Sequence, residues 1–149
     1  MHRLIATTLS LFLLSGIAES QTDNLERFAA GGSPDRTPPF SDSVRVGDFL
    51  YLSGKLGTGQ GGLVSGGITA ETRQALENIS TSLNRAGSSI ANVVKCTVFL
   101  IDMNEFGAMN QVYVSYFRDH LPARSAVGVS DLALDARIEI ECIAAIPQD

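Results

Sequence analysis

Two ionised side chains in short distinctive runs offer chemistry to a small substrate: Arg124, in Leu121-Pro122-Ala123-Arg124-Ser125, and Glu139, in Arg137-Ile138-Glu139-Ile140-Glu141. A planar guanidinium grips a carboxylate through two parallel hydrogen bonds, fixing orientation as well as charge. A carboxylate beside a water can orient it and accept its proton. Taken alone, an arginine is more often a surface ion pair, and a strand glutamate is more often a solvated charge or an interface ion pair. Asn110 interrupts the apolar stripe Phe106, Met109, Val112, Tyr113, Tyr116 and Phe117, and a buried amide there needs partners. Ser53 could offer a hydroxyl to a ligand or equally well to the backbone. Beyond residue 20 the only histidine is His120, beside Asp119. A multi-histidine metal site is thereby excluded, and a Ser-His-Asp triad has little support. Gly57, Gly59 and Gly62 have GxGxxG spacing, but no helix follows them directly, so a hairpin loop is the better reading. Neither a cofactor nor a metal is expected.

The surrounding pattern is α+β. Ser43–Val46 alternates, Gly47-Asp48 offers a tight turn and Phe49–Ser53 continues with β-formers, which together predict a hairpin. A helix is expected from an N-cap at Thr69, with Glu71 in its first turn, to Gly87 as its terminator. Asn78-Ile79-Ser80 matches a glycosylation sequon that is incidental on such a helix. A strand follows at Val93–Ile101, then a second helix with Asp102 and Glu105 as a capping box, then strands at Val127–Val129 and Arg137–Ile146. Two helices cannot cover both faces of such a sheet, so they should pack side by side on one face. Ile138, Ile140 and Cys142 belong under them; Arg137, Glu139 and Glu141 face away. In the middle strand Val94, Cys96, Val98 and Leu100 share a face opposite Lys95, Thr97 and Phe99. The open face mixes charge with apolar bulk, which suits a subunit interface.

Residues 1–20 read as a signal peptide: His2 and Arg3, an apolar run over Leu4–Leu14, then small residues up to Ser20. The run is too short for a stable membrane anchor. Export to a periplasm or the extracellular space is expected, with no membrane association after cleavage. Residues 21–38 read as an irregular lead-in, and residues 39–149 as one domain. Removing Arg3 and Glu19 with the signal leaves the net charge at −5, which disfavours nucleic acid. Cys96 and Cys142 lie in apolar strand-like runs. An oxidising compartment permits a bridge, but two free buried thiols are the expected state.

The runs PFSDSVRVGDFLYLSGKLG, ETRQALENI, AGSSIANVVKCTVFLIDMNEFGAMNQVYVSYF and LPARSAVGVSDLALDARIEIECIAAIP together resemble the RidA/YjgF family, also called endoribonuclease L-PSP, over roughly Pro39 to Ile146. The resemblance implies a chorismate-mutase-like α+β fold, with a mixed sheet and two helices on one face. It also implies a homotrimer with clefts between subunits, in which a guanidinium and a carboxylate from neighbouring strands meet. The activity implied is that of a 2-iminobutanoate/2-iminopropanoate deaminase-like hydrolase, turning 2-aminoacrylate-like enamines or imines into 2-keto acids and ammonia. Arg124 matches the family arginine that holds the substrate carboxylate, and Glu139 the glutamate that positions water. Phe40, Ser53, Gly54 and Asn110 match positions bordering the cleft. Three residues depart from the family: Phe40 where a tyrosine is usual, Lys55 where glutamine is common, and Ala126 where many members carry cysteine. A non-catalytic trimer binding small metabolites in the same cleft is the alternative. RNA cleavage, suggested by the family's other name, is disfavoured by the acidic balance.

Overall fold

The computed structural model describes residues 25–31 and 38–147; the expected signal, residues 1–20, lies outside them. Part of the expected irregular lead-in is a strand. Leu25–Ala29 (β1) runs antiparallel to Ser41–Val46 (β2). Gly31, the first of that segment's breakers, comes only after β1, so the strand precedes them. β2 turns through Gly47, at φ 57°, into Phe49–Leu52 (β3), the expected hairpin. Lys55–Leu56 (β4) follows, then a small hairpin of Thr58–Gly59 (β5) with Gly62–Leu63 (β6), so the spaced glycines do form a hairpin. At Gly57 an added Cβ would stand 2.5 Å from the Glu71 Cα, so only glycine lets the chain pass this close to the first helix.

That helix, α1, spans Gly67–Arg85. Its N-cap is Gly66, at φ 116°, and not Thr69, which lies inside the first turn. Glu71 is no exposed first-turn charge either. It is buried, and its Oε2 accepts the Arg137 backbone N–H at 2.8 Å. The end is as expected: Gly87 adopts φ 77° and the Ser88 N–H donates to the Leu83 carbonyl at 2.9 Å. Asn78 is occupied within the fold, donating to the Leu56 and Thr58 carbonyls at 3.0 Å.

Val93–Leu100 (β7) leads into a 3₁₀ turn at Met103–Glu105 and then α2, Phe106–Tyr116. Asp102 caps the turn by accepting the Asn104 N–H at 2.8 Å, but the expected capping box does not form. Glu105 instead accepts from Arg137 Nη1 at 2.9 Å. The next strand, Ala123–Gly128 (β8), starts earlier than expected and contains Arg124; Ile138–Ala145 (β9) closes the fold.

The main sheet has the order β1-β2-β3-β9-β7-β8, with β4 also paired to β9. Only the β7–β8 pairing is parallel. Leu50, Val98, Leu100, Ile138, Ile140 and Ala144 are wholly buried on the helix-covered face, beneath Leu76, Ile79, Leu83 and Met109. Removing that much apolar surface from water is the main source of stability. The alternation fails once. Val94 is 41% exposed and Val93 is buried in its place, because the register with β9 shifts between Val93 and Lys95.

The cysteines also depart from expectation: Cys96 and Cys142 form a disulfide. The antiparallel register sets them directly opposite on the helix-covered face, with Cα atoms 4.1 Å apart. Neighbouring antiparallel strands bring paired residues within bridging distance without backbone movement.

Candidate functional site

Two half-sites lie on opposite faces of the sheet. Parity of register puts them there. Arg124 pairs with Cys96, whose side chain points under the helices, so Arg124 points that way too. Glu139 pairs with Phe99 and Leu56 and shares its direction with Glu141, away from the helices. Contrary to expectation, the strands that carry them are not neighbours but are separated by β7. One copy of the chain cannot bring both groups onto one small molecule.

Arg124 sits at the sheet edge, against α2. Its Nη1 donates to Asn110 Oδ1 at 2.8 Å. Its guanidinium carbon lies 4.6 Å from the Tyr113 ring centroid and 5.5 Å from that of Phe106, both within cation–π range. Phe106, Asn110 and Tyr113 recur at four- and three-residue spacing, which puts them on one face of the helix. Asn110 thus finds its partner in Arg124. The two aromatics were legible only as core, because a helical aromatic stripe carries the same pattern whether it packs on aliphatics or on a guanidinium. Among the described residues Arg124 has no acidic partner. A half-buried cation with its charge uncompensated is suited to receive an anion.

Glu139 occupies a gap built by β3 and β4. The chain leaves the β9 ladder at Ser53-Gly54, between Tyr51↔Ile143 and Lys55↔Ile140. Ser53 is tied down there, its N–H donating to the Asp42 carbonyl at 3.0 Å and its hydroxyl to the Ser41 carbonyl at 2.7 Å. Its hydroxyl therefore serves the backbone. The Glu139 carboxylate lies directly over Gly54, where an added Cβ would overlap Oε1 and stand 2.7 Å from Cδ. Desolvation by burial, with a smaller push from the Glu141 charge, raises the Glu139 pKa above the ordinary carboxylate value.

Phe40 is 58% exposed just before β2. Lys55 brings no free charge to the strand end: its ammonium is bound to the Asp42 carboxylate, both side chains being about nine-tenths buried. Ala126 packs against the core, and His120 is exposed beyond α2. No cluster of metal-ligating side chains is found among the described residues. On the open face Val46, Phe49, Tyr51 and Val127 are each more than two-fifths exposed. A shallow hollow of about 210 Å³ lies there, lined by Tyr51, Lys95, Thr97 and Glu141.

Fold and half-sites together define an α+β protein with two helices on one face of a mostly antiparallel sheet, an arginine held by helix α2 and a carboxylate on the opposite face. The endoribonuclease L-PSP family model matches residues 31–146, and the chain belongs to that family, the RidA/YjgF proteins. It is 45% identical over 114 residues to the 2-iminobutanoate/2-iminopropanoate deaminase of Mus musculus, covering 75% of this chain and 84% of that one. Yeast Mmf1 superposes with a TM-score of 0.76 at 34% identity, over 83% of this chain and 99% of that one. TdcF of E. coli, solved with bound serine, gives a TM-score of 0.73 at 31% identity, over 82% and 100%.

Proposed function

We propose that this chain hydrolyses carboxylate-bearing imines and their enamine tautomers, such as 2-aminoacrylate, to 2-keto acids and ammonia, in a site shared by two subunits of a homotrimer. The curated deaminases at about this level of identity make it an imine deaminase-like hydrolase. One observation carries the finer reading: an arginine without an acidic partner and a carboxylate of raised pKa stand on opposite faces of one sheet. A second copy placed on the open face would unite them. The exposed apolar side chains of that face favour such a partner. The serine bound to TdcF is itself a small carboxylate-bearing molecule.

In the reaction, Arg124 of one subunit holds the substrate carboxylate. Glu139 of the next takes a proton from water as the water oxygen bonds to the imine carbon and the C=N π electrons move to nitrogen. Glu139 returns that proton to nitrogen to give a carbinolamine; it then takes the carbinolamine hydroxyl proton and passes it to nitrogen as the C–N bond breaks, so that ammonia leaves and the carbonyl forms. A raised pKa suits a group that must both accept and donate.

Imines of several amino acids, generated in situ, test the activity through ammonia release by wild type, Arg124→Ala and Glu139→Ala. Both variants should lose activity yet keep the trimer. Dissociating and mixing them should restore activity, because some interfaces then carry an intact Arg124 opposite an intact Glu139. No acceleration by wild type replaces the enzyme with a metabolite-binding trimer. Absence of restoration in verified mixed trimers rejects the shared site.

We also propose export. A buried disulfide suits an oxidising compartment, and residues 1–20 have the pattern of a signal. N-terminal sequencing of the protein from its native source should begin after Ser20; an intact Met1 in the cytoplasm rejects this.

A further inference from the structure

We infer that Tyr113 is a positioning residue for Arg124. With Phe106 it forms an aromatic slot that fixes the guanidinium for a carboxylate and so sets a preference for carboxylate-bearing over neutral imines. This rests on the reading of Arg124 as the substrate anchor.

The slot explains how an edge-strand arginine stays in one orientation. Long side chains lose considerable rotamer freedom on being fixed, and among the described residues β8 has no further strand beyond it to pack against. Asn110 fixes one nitrogen only, Nη1. The rings at 4.6 and 5.5 Å hold the rest of the cation. Tyr113 is itself packed in the core. It is 2% exposed, and its ring centroid lies 4.7 Å from that of Phe117, which is 3% exposed. With Nη1 bound to Asn110, the edge formed by Nε and Nη2 is left to receive both oxygens of a carboxylate.

The ring does this and the hydroxyl does not. The Tyr113 hydroxyl is buried and has no hydrogen-bond partner among the described residues. Burial pushes its pKa up to about 12, against the opposing pull of Arg124, so the phenol stays neutral and supplies no anion to compete with substrate. A lysine in place of Arg124 would lack the planar cation that lies against two rings.

The test compares KM and kcat for the imine of a 2-keto acid with those for the imine of a simple ketone of similar size. Tyr113→Leu should raise KM for the acid by about 2- to 30-fold, the range a cation–π contact supports. Its kcat, and both constants for the neutral imine, should change little. Tyr113→Phe should behave as wild type. Phe106→Leu should show the same selective effect, smaller because that ring is more distant. Phe106 is only partly buried at the start of α2, so it decides the matter if Tyr113→Leu does not fold. Equal damage to both substrates, a Tyr113→Phe variant as impaired as Tyr113→Leu, or unchanged KM in the leucine variants overturns the slot. An Arg124→Ala variant with unchanged KM for the acid would instead remove the anchor reading on which the slot depends.

Discussion

Gly54→Ala should separate the placing of the Glu139 carboxylate from the stability of the fold. The new methyl would overlap Oε1 and stand 2.7 Å from Cδ and 2.9 Å from Cγ. Nonbonded carbon atoms prefer about 3.5–4.0 Å, so the carboxyl group must withdraw by about 1 Å. A misplacement of that size can cost about 100-fold in rate. KM should stay nearly constant, because the anchor, Arg124, is on another surface. Stability should change little for two reasons. Gly54 has no positive φ, so alanine takes its backbone without strain and gains about 0.4–1 kcal/mol from a less flexible unfolded chain. What must move is the far end of a side chain, which can swing toward solvent.

Gly57→Ala is the internal contrast. There the methyl would meet Glu71 backbone at 2.5 Å from Cα and 2.6 Å from the carbonyl oxygen. Packed helix backbone cannot swing aside, so the fold should lose about 1–3 kcal/mol. Steady-state ammonia release with calorimetry on both variants measures the difference. Gly54→Ala should lose kcat at nearly constant Tm, and Gly57→Ala should lose Tm. A Gly54→Ala enzyme with full kcat, or one that loses kcat and Tm in step, refutes the claim that Gly54 makes room for a working carboxylate.

Glu139→Gln should lower kcat by about 10²–10⁴-fold. Because burial first, and Glu141 second, raise its folded-state pKa, the native glutamate contributes stability that is present below its unfolded pKa and lost as pH rises through the folded value. The glutamine variant should therefore gain Tm over wild type above the carboxylate range and not below it, which melting across pH checks. Asp42 has the opposite sign. Burial alone would raise its pKa, but the hydrogen bond from Lys55 and the nearby Ser82 hydroxyl, with the charges of Lys55 and Arg85, hold it below 3.8. Its stabilisation is present above 3.8 and lost as pH falls through the lowered value. Asp42→Asn should leave the buried Lys55 ammonium unpaired and cost about 3–5 kcal/mol at neutral pH by denaturant titration. Cys96→Ser with Cys142→Ser should cost about 2–4 kcal/mol for a link closing 46 residues, and thiol reductant should shift the wild-type denaturation midpoint but not that of the variant.

Where a segment's neighbours follow from its own pattern, sequence and structure agree. The alternation of Ile138, Ile140 and Cys142 against Glu139 and Glu141 specified the two faces of β9, and Gly87 ended α1 as its conformation demands. What failed to read through was long-range. Thr69 is a good cap by chemistry, but the Gly66 conformation starts α1 earlier and Glu71 is drawn inward by the Arg137 amide. In Ala123–Gly128 the Ala, Ser and Gly residues have weak strand preference, so the local pattern predicted only the Val127 end of β8, and a strand position for Arg124 followed from the family resemblance alone. The cysteine pairing was hidden for the same reason. Each run is apolar on its own, and only the register between β7 and β9 sets the two sulfurs side by side. Register also decides the most consequential feature of the site. Because side chains alternate with a period of two, a one-residue slip of β8 against β7 would turn Arg124 to the face of Glu139. The registers Arg124↔Cys96 and Glu139↔Phe99 put the two groups back to back, so no single copy of the chain can turn the chemistry of both residue types onto one small molecule.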